Sequence, residues 1–205
     1  MENQAVRILA AMTLWAILAC PAFAQPPAPD VNKLVDADVI KGIESWMDTE
    51  IVRLSVRAQN ERLGNQSQAE IDALDAQWRN ERTVEDKPLI AATLSNPLSN
   101  YLLRMQARSV GVYVEIFVMD NKGLNVGQSS ITSDYWQGDE AKFQKTFPMG
   151  ASGLFIDEPE WDDELKIWRV QVNKTLTDED ATPIGAITVE LNLTELQRRK
   201  NAVGI

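Results

Sequence analysis

Val112-Tyr113-Val114-Glu115-Ile116-Phe117-Val118-Met119, then Asp120-Asn121-Lys122-Gly123, then Leu124-Asn125-Val126-Gly127 is the stretch on which the reading of the fold depends. Its first eight residues are β-branched and aromatic with a two-residue alternation. A four-residue polar turn ending in glycine follows, and the last four can return as a short antiparallel strand. Before this stretch apolar residues recur every three or four positions; after it the period is two. Helices first and an antiparallel sheet afterwards make an α+β arrangement, in one domain over residues 31–205.

Upstream, Val35, Val39, Ile43, Met47, Ile51, Leu54 and Ala58 predict one long helix from about Val31 to Asn60,. Ser67 with Glu70 three residues later is a capping box, and Ile71, Leu74 and Trp78 carry a second helix to about Arg82,. Pro88 opens a further short helix. Asn96-Pro97 interrupts it and restarts it, with Leu98, Leu102 and Met105 on one side as far as about Arg108,. Downstream, Ser129 to Gly153 lacks periodicity and reads as a long loop packed by Tyr135, Trp136 and Phe143, with at most one helical turn near Ala141 to Thr146,. Leu154 to Asp157, Leu165 to Thr175 and Ile184 to Leu193 read as strands joined by acidic turns, and Thr194 to Lys200 as a terminal helix,. The expected architecture is a long N-terminal helix and further helices packed on an antiparallel sheet of about five strands.

Composition removes several chemistries. The 205 residues contain no histidine, one cysteine, and 30 Asp+Glu against 20 Lys+Arg, a net charge of -10. No imidazole is present to act as general base or zinc ligand. The scattered cations and acidic balance argue against nucleic acid. Residues 1–24 read as a signal peptide: Arg7 precedes an apolar run from Ile8 to Cys20, and Ala22-Phe23-Ala24 provides the cleavage site,. The run is shorter than the ~20 residues a membrane-spanning helix needs, which disfavours a retained anchor. Ile17-Leu18-Ala19-Cys20 offers a lipoprotein box, a poorer fit because of Leu18. Cleavage after Ala24 removes Cys20, so no thiol or disulfide chemistry survives, and Gln25 to Asp30 becomes a proline-rich, extended and mobile leader. Periplasmic secretion is the expected localisation.

Four segments then resemble a known family. Lys122-Gly123-Leu124-Asn125-Val126-Gly127-Gln128-Ser129, Asp134-Tyr135-Trp136-Gln137-Gly138-Asp139-Glu140 with Phe143, Trp168-Arg169-Val170-Gln171-Val172, and Pro183-Ile184-Gly185-Ala186-Ile187-Thr188-Val189 are similar, in that order, to the Cache (PAS-like, PDC) extracytoplasmic sensor domains. The resemblance runs from about Val31 to Leu193. It implies a long N-terminal helix, a PAS-like sheet and a small-molecule pocket roofed by the long loop. Such domains usually sit between two membrane spans, whereas this chain reads as a free-standing secreted form. It implies a membrane signalling partner: a sensor kinase, cyclase or chemoreceptor.

Strand alternation nominates a site. Val112, Val114, Ile116 and Val118 share one face of the first strand, leaving Tyr113, Glu115 and Phe117 opposite. Trp168, Val170 and Val172, and Ile187, Val189 and Leu191, form the matching apolar faces; Arg169, Gln171, Ala186, Thr188 and Glu190 lie opposite. The expected pocket is the mixed face, with Tyr113, Glu115, Arg169, Gln171 and Thr188, roofed by Tyr135, Trp136 and Asp139. Arg169 could clamp a carboxylate while acid or ring faces hold an ammonium, which suits an amino acid, amine or carboxylate ligand. The plainer alternative is a solvated face with a cross-strand Glu–Arg pair. No cofactor or metal is expected. The run Asp157-Glu158-Pro159-Glu160-Trp161-Asp162-Asp163-Glu164 reads as a solvated turn, because it lacks the ligand spacing and glycine of a calcium loop,. An enzyme could work only through carboxylates such as Asp134, Asp139 and Glu140, which one loop does not place in opposition. The expected function is therefore binding, with a protein-interaction module whose pocket is vestigial as the alternative.

Overall fold

The structure, a computed structural model, describes residues 25–204. The signal-peptide reading of residues 1–24, Cys20 included, lies outside them. The run read as one long helix is three segments: α1 (Val31–Leu34), α2 (Ala37–Met47) and α3 (Glu50–Leu63). Capping chemistry explains the first break. Asp36 Oδ1 accepts the Val39 N–H at 3.0 Å and restarts the helix one residue later,. At the second break Asp48 leaves helical geometry (φ -89°, ψ 61°) and Thr49 is extended. The apolar stripe survives the first interruption, since Val35, Ile43 and Met47 enter the main core, but not the second: in α3 Val52 and Val56 enter it, while Leu54 and Ala58, expected on the stripe, are exposed.

The next three helices, α4 (Gln68–Glu81), α5 (Pro88–Ser95) and α6 (Pro97–Arg108), fall where their punctuation places them. The Ser67 N–H donates to Glu70 at 2.8 Å, one arm of the capping box,. Asn96 Oδ1 accepts the Ser99 N–H at 2.8 Å, and Pro97 fills the first position of α6,.

Six strands follow: β1 (Tyr113–Met119), β2 (Asn125–Gln128), β3 (Leu154–Ile156), β4 (Glu160–Asp162), β5 (Ile167–Thr177) and β6 (Pro183–Asn192). They form one antiparallel sheet in the order β2-β1-β6-β5-β3, with β4 pairing the same edge of β5 as β3. The strand beyond the expected five is β4, which lies inside the acidic run read as a turn. Between β2 and β3 the chain makes α7 (Ala141–Gln144) and a 3₁₀ segment, Phe147–Ser152; α8 (Leu193–Val203) ends the described chain. Among the described residues no helix is long and apolar enough to cross a membrane. The leader has no regular structure, yet it is tethered: Trp168 Nε1 donates to the Pro26 carbonyl at 3.2 Å.

One sheet face carries Ile116, Val118, Val170, Val172, Ile187, Val189 and Leu191 against the helices. Each such side chain contributes about 1.5–3 kcal/mol by leaving water. Gly185 permits the closest approach in this layer: a Cβ there would stand 2.2 Å from the Met119 carbonyl oxygen and 3.1 Å from Val56. The prohibitive contact is with the backbone of the neighbouring strand β1, while the Val56 methyl of α3 would have to shift only slightly.

A second, smaller core joins α4 and α5 to the loop after β2. It holds Ile71, Trp78, Ile90, Leu124 and Tyr135. Trp78 stacks on Tyr135 with ring centroids 5.3 Å apart, and its indole N–H donates to the Thr132 carbonyl at 3.0 Å. Asp75, on α4, accepts the backbone N–H groups of Tyr135 at 2.9 Å and Trp136 at 3.1 Å. The turn also grips the loop. Gly123 has φ +83°, a Cβ on it would come within 2.5 Å of Gly138 Cα, and Gln137 N–H donates to its carbonyl at 2.8 Å,.

Candidate functional site

The register across the three central strands builds the site. Gln171 lies opposite Glu190, and Glu190 opposite Glu115, so these three side chains form a row on the face away from the main core. The next row, Asn173, Thr188 and Phe117, is covered. Phe143 of α7 and the partly buried Phe147 pack against Phe117, Met119 and Ala186, and Thr175 Oγ1 donates to the Thr146 carbonyl at 3.0 Å. Half of the mixed face is thus closed by residues 141–152, and the other half stays open.

The open half is a cavity of about 280 Å³. Glu140 and Lys142 line it from the start of α7, Asp157 and Glu158 from the β3–β4 connection, Glu160 from β4, Arg169 and Gln171 from β5, and Glu190 from β6. Arg169 is held by carboxylates on three sides: Glu190 at 3.2 Å, Asp162 at 3.5 Å and Glu160 at 3.9 Å. Lys142 pairs with Glu140 at 2.8 Å, donates to Gln137 at 3.1 Å, and stands 5.4 Å from the centre of the Phe117 ring,. Glu115, opposite Glu190 in the same row, accepts from the Ser130 hydroxyl at 2.5 Å.

Burial pushes the carboxyl groups of Glu115 and Glu190 above the ordinary glutamate range. For Glu115 the Ser130 hydroxyl, Lys142 and Arg169 work against that rise. For Glu190, Arg169 opposes it while the facing Glu115 charge adds to it,. Arg169 and Lys142 both act on these directly opposed carboxyls, and each is shared with other acids, Arg169 with Asp162 and Glu160 and Lys142 with Glu140.

The predicted site residues divide. Arg169 and Gln171 line the cavity, and Glu115 lies in the same cross-strand row, opposite Glu190. Thr188 is on the same face but fully buried under α7, where its hydroxyl donates to Asn173 at 2.7 Å. Tyr113 is on the other face. A register shift between Tyr113 and Glu115 sets it opposite Leu191, where its ring lies 5.8 Å from Trp46 and its hydroxyl accepts the Trp46 indole N–H at 3.3 Å,. Tyr135 belongs to the second core, and the partly buried Trp136 ring packs against it with its N–H donating to the Lys122 carbonyl at 2.8 Å. Asp139 is exposed in a turn and does not line the cavity. The expected roof of Tyr135, Trp136 and Asp139 is therefore corrected: residues 141–152 cover the sheet, because Asp75 draws the preceding loop under α4.

The residues that sequence reasoning missed are Glu190, Lys142, Glu140 and three from the acidic run. Alternation had set Glu190 on the mixed face, and its two-residue spacing from Thr188 was the available signal. The acidic run gave none, since its carboxylates reach the cavity only because β4 folds back on β5.

No family model matches the chain, and no curated protein matches it. Solved structures similar to it are sensor domains. The sensory domain of the Campylobacter jejuni chemoreceptor Tlp3 is 15% identical with a TM-score of 0.40, covering 78% of this chain and 64% of that one. The ligand-binding domain of the Pseudomonas aeruginosa amino acid chemoreceptor PctC, in complex with GABA, is 15% identical with a TM-score of 0.37, covering 82% and 66%. The Escherichia coli DcuS sensor domain is 18% identical with a TM-score of 0.39, covering 63% and 96%. The chain spans less than two thirds of the length of the first two. At such scores the likeness carries no argument about ligand or mechanism.

Proposed function

We propose that the protein is an extracytoplasmic, non-catalytic sensor domain of Cache/PDC type that binds a small organic molecule in the cavity on the mixed sheet face. Its ligand state is presented to a membrane signalling partner, a sensor kinase, cyclase or chemoreceptor. The observation that carries this reading is the half-closed face. Three adjacent strands, a short helix and the β3–β4 connection converge polar side chains on one concavity, close to the ~300 Å³ at which small-molecule sites begin. The covering segment, residues 141–152, ends directly in β3, so a ligand that moves it also moves the sheet edge. The four motifs quoted above support the same family in sequence, and a processed N-terminus at Gln25 would place the domain outside the cytoplasm.

A thermal-shift screen of amino acids, amines and carboxylates tests the reading. At roughly 100 times its Kd a ligand adds about 2.7 kcal/mol, a rise of about 5–10 °C for a domain of this size. Gln171→Trp fills the cavity from the middle of its floor and should abolish the shift. No hit in the screen, or hits indifferent to Gln171→Trp, would leave a vestigial pocket and favour an interaction module.

A further inference from the structure

We infer that the ligand of this cavity is a small organic cation rich in N–H donors, an amine or guanidine, and not a carboxylate or an amino acid held by Arg169. This rests on the small-molecule reading above and narrows it. The cations of the cavity are already engaged. Arg169 faces three carboxylates within 4 Å, with Nη1 on Glu190 and Asp162 and Nη2 3.9 Å from Glu160, and its Nε is shielded from solvent, so a carboxylate approaching the guanidinium meets three like charges. Lys142 is taken by Glu140 and Gln137. A ligand carboxylate would have to displace one of these partners and then stand beside the others, at like-charge cost.

The acceptors are in surplus. Asp157 and Glu158 line the cavity, and no cation stands within salt-bridge distance of either among the described residues. Glu190, 6% exposed, shares its single guanidinium with Asp162 and Glu160 and lies opposite Glu115 across β1 and β6. Glu190 is buried and Glu115 half-buried, and the two cations that act on them, Arg169 and Lys142, are shared with Asp162, Glu160 and Glu140, which leaves the pair under-compensated,. A bound ammonium between the floor carboxyl, Glu190, and the wall carboxylates, Asp157 and Glu158, supplies the missing charge and receives charge-assisted hydrogen bonds in return. Gln171, beside Glu190, adds a neutral acceptor that does not repel a cation,.

Putrescine is the probe, with succinate, glycine and calcium chloride as comparators, titrated calorimetrically into the purified protein. Putrescine should bind about tenfold or more tightly than succinate or glycine, the ratio that corresponds to about 1.4 kcal/mol. Its affinity should fall as ionic strength rises from about 0.01 to 0.15 M. Binding should release protons near the titration of Glu190, seen as a dependence of the heat on buffer ionisation. Glu158→Gln, exposed and outside the core, and Glu190→Gln should each weaken it about tenfold, whereas Glu164→Gln, beyond the cavity, should not. Tighter binding of succinate or glycine that is lost in Arg169→Ala overturns the cation assignment and leaves the small-molecule reading intact. Equal competition by calcium reduces the site to a generic acidic surface and also overturns it. Absence of any binding, in protein that melts cooperatively, overturns both readings.

Discussion

Asp75→Ala tests the idea that one carboxylate decides what covers the sheet. Its side chain is 7% exposed and accepts two backbone N–H groups, from Tyr135 at 2.9 Å and Trp136 at 3.1 Å. Hydrogen bonds to a charged acceptor contribute about 1.5–3 kcal/mol each, and both donors would be left without a partner beneath α4, so the loss is about 3–6 kcal/mol. The ion pair to Arg79, at 2.8 Å, adds little because the arginine is 58% exposed,. Even the lower figure is a large share of the 5–15 kcal/mol typical of a domain, and it lowers the melting temperature by about 6–12 °C. Urea unfolding followed by tryptophan fluorescence measures it directly, because Trp78 is stacked on Tyr135 in this same cluster. Asp75→Asn, which keeps one acceptor oxygen and loses the charge, should fall between the two. Limited proteolysis should open residues 129–140 first. A destabilisation below about 1 kcal/mol, with the loop still protected, would refute the claim that Asp75 positions it.

Other consequences follow from the same geometry. Gly185→Ala should cost about 1–3 kcal/mol or more, because its Cβ meets the Met119 carbonyl rather than a movable side chain; a wild-type unfolding midpoint would contradict the packing described. Since Glu115 and Glu190 have folded pKa values raised above their unfolded ones, they bind more protons when folded. Their contribution to stability is full below the unfolded glutamate range and is lost as pH rises through the folded values,. Glu190→Gln should therefore flatten the decline in stability between weakly acidic and neutral pH, read from midpoints at several pH values; an unchanged slope would argue against a strained pair. Glu195, held down to about 2 by Arg198 and Arg199, acts in the opposite sense: its stabilisation is present above the ordinary glutamate range and fades as pH falls toward 2,. Ser67→Ala should cost about 1 kcal/mol in α4, measurable by urea titration.

The α+β arrangement, the positions of α4 to α6, the β1–β2 hairpin and the apolar faces of β1, β5 and β6 were readable from the chain. They follow from local rules: apolar period, capping residues, Pro at helix starts and Gly where φ is positive. Such signals act over a few residues, and a linear sequence carries them whole. The same rules missed the two breaks in the N-terminal helical run, where Asp36 and Thr49 interrupt a stripe that periodicity alone continues.

The composition of the site was decided elsewhere. A single irregularity in β1–β6 pairing turns Tyr113 to the helix side, although alternation places it with Glu115. Asp75, 60 positions from Tyr135, removes the aromatic loop from the expected roof. The folding of β4 on β5 brings Glu160 and Asp162 to Arg169, turning an acidic run that reads as solvated into one wall of the cavity. Each of these is a long-range pairing whose energy depends on which partner arrives. The sequence alone set which residues are apolar, charged or able to turn; the tertiary structure chose which charges meet, because a buried ion's environment comes from strands and loops distant along the chain.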